Sequence, residues 1–86
     1  MMPKALTDKE KLLFEIEFRK RMKTSDVIKW GVANYSNRAL RNMQQLAESG
    51  KVRRLTDEEK TALYGEIGEG VFEYIPTSTE RQTYVE

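Results

Sequence analysis

The sequence predicts a mainly α domain with a small β part, and three observations carry that expectation. Residues 36–50, SNRALRNMQQLAESG, put Ala39, Leu40, Met43, Leu46 and Ala47 on one apolar face at helical period. Two T-x-x-E capping boxes, Thr7 with Glu10 and Thr56 with Glu59, mark the starts of two further helices. Residues 71–75, Val-Phe-Glu-Tyr-Ile, form a β-branched and aromatic run closed by Pro76, the clearest strand in the chain. Eighty-six residues suffice for one domain with a modest core, burying roughly 60% of its unfolded surface. The domain is expected over 7–75, with 1–6 and 76–86 as flexible termini.

In chain order, the Thr7 capping box opens a helix expected to run to about residue 23. Its middle, Phe14-Glu15-Ile16-Glu17-Phe18, alternates as a strand would, but Gly and Pro are absent from 6–23 and Phe14, Phe18 and Met22 repeat every four residues. Leu12, Leu13 and Ile16 widen the apolar surface beyond one stripe, so this helix is the expected interface if the protein is a homodimer. Thr24 or Ser25 caps a short second helix over 26–30, with Val27 and Ile28 inward and Gly31 as its stop. Trp30 is expected to pack on the first helix and Tyr35 in the following turn, the alternative for both being base stacking. Ser36 caps the third helix and Gly50 closes it. Residues 51–55 read as a strand anchored by Val52 and Leu55. Asp57 to Tyr64 reads as a short acidic helix with Ala62 and Leu63 inward, and residues 71–75 return antiparallel to 51–55. Residues 77–86 carry little to bury.

With no cysteine and no histidine, disulfides, thiolate metal sites and triads of the histidine or cysteine kind are excluded. The serines read as caps, turns or tail. Gly65-Glu66-Ile67-Gly68-Glu69-Gly70 opens no helix and carries two glutamates, which argues against a phosphate loop. The carboxylates in 58–69 match no calcium-loop spacing and read as a solvated acidic face. No enzyme activity, cofactor or metal is expected. The start of the chain has no apolar core of a signal peptide and no run has membrane-spanning length, so a soluble cytoplasmic protein with no membrane contact is expected.

The net charge of +1 conceals a segregation. Residues 19–54 hold ten basic residues against two acids, net +8, whereas 55–86 hold two against eight, net −6. A basic middle of this kind is a footprint for a polyanion. On the third helix, opposite the apolar stripe, stand Asn37, Arg38, Arg41 and Gln45, side chains that donate to phosphates and base edges. The bland alternative is a solvated helix face. Two short helices joined by a glycine-bearing turn, the second with a basic polar outer face, have the helix-turn-helix arrangement. From Gly31 the buried position of the second helix falls at Ala39, about two residues later than in the tightest form of that motif.

LLFEIEFRKRMKTSDVIKWGV followed by YSNRALRNMQQLAESGKVRRL resembles the winged helix-turn-helix superfamily of DNA-binding domains over roughly residues 7–75. The passage LAESGKVRR, from third helix to wing, is the most typical part. The resemblance implies a winged helix: a three-helix core followed by a two-stranded antiparallel wing, here with a short acidic helix in the wing connection. It further implies a recognition helix that begins at Ser36 and carries Asn37, Arg38, Arg41, Asn42 and Gln45, with Lys51, Arg53 and Arg54 on the wing flank. Adjacent on a strand, Arg53 and Arg54 point to opposite faces, so at most one of them meets the same duplex. The partner so implied is double-stranded DNA, and the role that of a transcriptional regulator or a replication or recombination accessory, in the compact form usual among phage and mobile-element proteins. The long acidic connection at 56–70 departs from the short wing of that family, and phosphate repels it. The alternative reading is therefore a protein-interaction module that meets its partner through the acidic segment 57–73.

Overall fold

A computed structural model describes residues 5–76. Helix α1, Asp8–Arg19, starts at the expected capping box: Thr7 Oγ1 accepts from the Glu10 amide at 3.1 Å and Glu10 Oε1 accepts from the Thr7 amide at 2.8 Å. It ends four residues earlier than expected. Lys20 takes φ 76°, donates its amide to Ile16 O at 2.7 Å, and turns the chain into a strand, β1, Arg21–Lys23. The apolar stripe is also rotated from the expected one. Leu12 and Ile16 are buried, whereas Phe14 and Phe18 are exposed, Phe18 to 85%; at about 100° per residue Phe14 lies about 200° round from Leu12. Met22 reaches the core from β1 and not from the helix.

Helix α2, Thr24–Ala33, is longer than expected at both ends. The side chain of Asp26 accepts from the Lys23 amide at 3.1 Å at its start, and Asn34 closes it, its amide and Nδ2 both donating to Trp30 O. Val27 and Trp30 are buried as expected; Ile28 faces out. Gly31 does not stop the helix but lies buried inside it. A Cβ there would sit 2.5 Å from the carbonyl oxygen of Ser36 and 2.8 Å from Ala39 Cβ. The glycine is therefore where helix α3, Ala39–Glu48, comes closest. The link is sealed by the Ser36 amide donating to Gly31 O at 2.7 Å. Ser36 is accordingly not the helix cap: it is buried in the turn, its hydroxyl without a partner among the described residues, and α3 begins three residues later. Tyr35, with φ 57°, does not pack in the turn; its side chain is 98% exposed.

On α3, Ala39, Met43 and Leu46 are buried and Leu40 and Ala47 pack partly against the core, as the period predicts. Gly50 takes the left-handed φ of 81° that a residue past a helix end commonly needs, and the Lys51 amide then donates to Leu46 O at 2.9 Å. Strand β2, Val52–Arg54, pairs antiparallel with β3, Val71–Tyr74, in the register Val52↔Tyr74, Arg53↔Glu73, Arg54↔Phe72. β1 adds to the other edge of β3, with Met22↔Phe72, so among the described residues the sheet has three strands in the order β1-β3-β2 and not the expected two. Met22, Phe72 and Val52 join Leu12, Ile16, Val27, Trp30, Ala39, Met43 and Leu46 in one core.

Helix α4, Asp57–Tyr64, has the second capping box but no buried residue; Ala62 and Leu63, expected inward, are exposed. Its fastenings are polar. The expectation for 77–86 lies outside the described residues. No helix among the described residues is long and apolar enough to cross a membrane.

Candidate nucleic-acid interface

The buried stripe of α3 dictates which of its side chains face out. Opposite Ala39, Met43 and Leu46 stand Arg41, Gln44, Gln45 and Glu48, all exposed, and with Leu40 they line a shallow groove along the helix. Asn37 and Arg38, in the turn before the helix, are exposed as well, while Asn42 is half-buried. Gln45 Oε1 accepts a hydrogen bond from Lys9 Nζ of α1 at 3.3 Å, which brings one more cation to the same surface. Ser36 lies apart from these residues by burial: its hydroxyl is not at the surface. Of the expected α3 set, the fold thus presents Asn37, Arg38, Arg41 and Gln45.

The wing-flank residues divide in two. On the outer face of the sheet the register sets Glu73 between Arg21 and Arg53, and its two carboxylate oxygens bond both, Arg21 Nε at 2.9 Å and Arg53 Nε at 2.9 Å. Arg53 also forks onto Glu59 of α4, at 3.0 and 2.7 Å. The hydrogen bonds that Arg53 donates to Glu59 and Glu73 drive its pKa still further up. In return Arg53, aided by the Thr56 amide, holds the Glu59 carboxyl down at about 2. A guanidinium with two carboxylates already in its fork has little left to offer a phosphate. Arg54 projects to the other face, its guanidinium 5.5 Å from the centroid of the Phe72 ring, and carries no ion pair among the described residues. Lys51 is exposed and likewise unpaired there.

The cations of residues 19–60 fall into groups that the linear charge count hides. Arg19, Arg21, Arg53 and Lys60 each have a carboxylate partner, and Lys20 and Lys23 stand over the rings of Tyr74 and Tyr64. Lys29 on α2, Arg38 and Arg41 with α3, and Lys51 just after it are exposed without an ion pair among the described residues. The basic middle of the chain is thus neutralised at Arg21 and Arg53 on the outer face of the sheet, while Lys29, Arg38, Arg41, Lys51 and Arg54 are left without an ion pair among the described residues. Lys29, Gln44 and Lys9 were not singled out from sequence. Gln44 follows Arg41 by three residues, a spacing that marks a shared helix face; nothing in the sequence pairs Lys9 with Gln45.

The turn from α4 to β3 is fixed to the start of α2. Glu69 accepts from the Ser25 amide at 2.7 Å and from Ser25 Oγ at 3.2 Å, which lowers its pKa, the amide contributing most. The Thr24 amide and Oγ1 both donate to Gly70 O. Among the described residues no group of acidic side chains has the arrangement of a metal site. Comparison with family models, with curated proteins and with solved structures finds no match to this chain.

Proposed function

We propose that the chain is a winged helix-turn-helix protein that binds double-stranded DNA by placing α3 in the major groove. The observation that carries the reading is the exposed side of α3 and its flanks, where Arg38, Arg41 and Lys51 have no ion pair among the described residues and stand with Asn37, Gln44 and Gln45, Glu48 being the one acid of the helix. Two features of the fold support it. The close approach of α2 and α3 at Gly31 is that of a packed helix-turn-helix pair, and the antiparallel pair β2–β3 follows α3 where a wing belongs. In this reading Arg41, within the helix, reaches base edges, while Arg38, Lys51 and Arg54 meet phosphate. Arg53 contributes nothing directly, because its charge is spent on Glu59 and Glu73. The acidic α4 lies in the wing connection and stays away from the duplex. The protein acts by occupying its site, as a regulator or as an accessory of replication or recombination.

Fluorescence anisotropy with labelled duplex DNA at several salt concentrations tests this. The four cations of this reading, Arg38, Arg41, Lys51 and Arg54, set an upper limit of about −3.6 on the slope of log K against log salt. Arg41→Ala is expected to lose about 1–3 kcal/mol and to relax sequence preference. Arg38→Ala is expected to weaken all sequences alike and reduce the slope by about one. Arg53→Ala leaves the slope unchanged. The reading fails if no duplex binds at low salt with a Kd below about 0.1 mM, the weak end of non-specific binding, or if Arg38→Ala and Arg41→Ala bind as the parent does.

A further inference from the structure

Helix α4 is an anomaly in this fold. None of its eight residues is buried, and a helix this short does not persist in water by its own propensity. It is tethered on one side by the Arg53–Glu59 fork, by Lys60 Nζ donating to Glu69 O at 3.0 Å and by the Lys23 ammonium over the Tyr64 ring. On another side it offers a shallow groove lined by Asp57, Glu58, Thr61 and Ala62; Asp57, fully exposed, lies 3.6 Å from Lys60 Nζ, and Glu58 has no ion pair among the described residues. Helix α2 offers the opposite chemistry. Ile28 and Val32, one turn apart, are 50% and 75% exposed, and the ammonium of Lys29 beside them has no ion pair among the described residues. Neither surface is used by the core, and neither includes the exposed residues of α3.

We propose that α4 is a docking surface for a second copy of this chain, received on the outward face of its α2. Ile28 and Val32 cover the groove at Thr61 and Ala62, and Lys29 meets Glu58. Charge complementarity favours this occupant, since every copy carries both the acidic groove with Glu58 and the apolar α2 face with Lys29, two charges without an ion pair among the described residues. The two patches differ, so the contact is heterologous and repeats head to tail. It leaves α3 uncovered, and copies on adjacent stretches of a duplex would bind it cooperatively.

Sedimentation velocity of the whole chain without DNA tests the contact separately from the DNA reading. The parent is expected to show a weight-average mass that rises above 10.1 kDa with concentration at low salt and falls back at high salt. Lys29→Glu is expected to weaken association by about tenfold or more, and Val32→Ser likewise; both lie on a well-anchored helix. Ala62→Arg fills the groove without touching the α4 cap and is expected to do the same. Glu58→Lys combined with Lys29→Glu in one chain restores association to within a few-fold of the parent, since the pair is reversed and not removed. A parent of constant monomer mass up to millimolar concentration overturns the proposal, as does undiminished association of Lys29→Glu, Val32→Ser and Ala62→Arg. Association abolished by Phe18→Ser and indifferent to those three moves the interface to α1 and equally overturns it.

Discussion

Replacing Gly31 by alanine sets two effects of opposite sign against each other. In a helix interior, alanine is favoured over glycine by about 1 kcal/mol, so at an open site the change stabilises. Here the new Cβ would lie 2.5 Å from the carbonyl oxygen of Ser36 and 2.8 Å from Ala39 Cβ. Ordinary contact begins at about 3.4 Å, so the turn and the first residue of α3 must retreat by nearly an ångström. One obstacle is backbone, and that backbone is held by the Ser36 amide on Gly31 O. Overpacking against such a fixed neighbour costs about 2–3 kcal/mol, the upper part of the usual range. The net expectation is a loss of about 1–2 kcal/mol, or a fall in Tm of about 5–15 °C for a domain of this size. Thermal and urea unfolding followed by circular dichroism measure it. A Tm equal to or above that of the parent would refute the close approach of α2 and α3, and with it the rigid presentation of Arg38 and Arg41.

Met43→Ala is expected to cost about 2–5 kcal/mol, because the side chain is fully buried, while Phe18→Ser should stay within about 0.5 kcal/mol; urea midpoints of equal size for the two would place the α1 and α3 faces wrongly. Glu59 and Glu69 have carboxyl pKa values depressed in the fold, Glu59 from 4.5 to about 2. A depressed folded-state pKa contributes stability that is full above the unfolded value and lost as pH falls through the folded one. Tm is therefore expected to decline from about pH 4.5 towards 2, and Glu59→Gln to make that decline shallower; identical acid limbs in parent and variant would show that the Arg53 fork does not form in solution.

What could be read from the sequence was what depends on neighbours in the chain. Both T-x-x-E boxes close as hydrogen-bonded caps, because each links residues three apart and needs no other part of the protein. The apolar stripe of α3 and its closing glycine are likewise local, as is the strand at 71–74. Tertiary structure decided what depends on packing. RMK after α1 reads as more helix by composition; it becomes a strand because β3 has a free edge for it, with the Tyr74 amide donating to Lys20 O. Gly31 reads as a stop, yet it lies within α2 because only there does the missing side chain let α3 approach. Ser36, a good cap by type, is held in the turn by that approach and starts no helix. The outward turn of Phe14 and Phe18 follows from which side of α1 met the sheet and α3, a choice that the periodicity of a doubly apolar helix leaves open. Charge followed the same division. The sequence determined that the middle of the chain is basic, but pairing with carboxylates remote along the chain decided which cations stay free. Glu73 lies 52 residues from Arg21 and 20 from Arg53, and only the register of the sheet sets it between them.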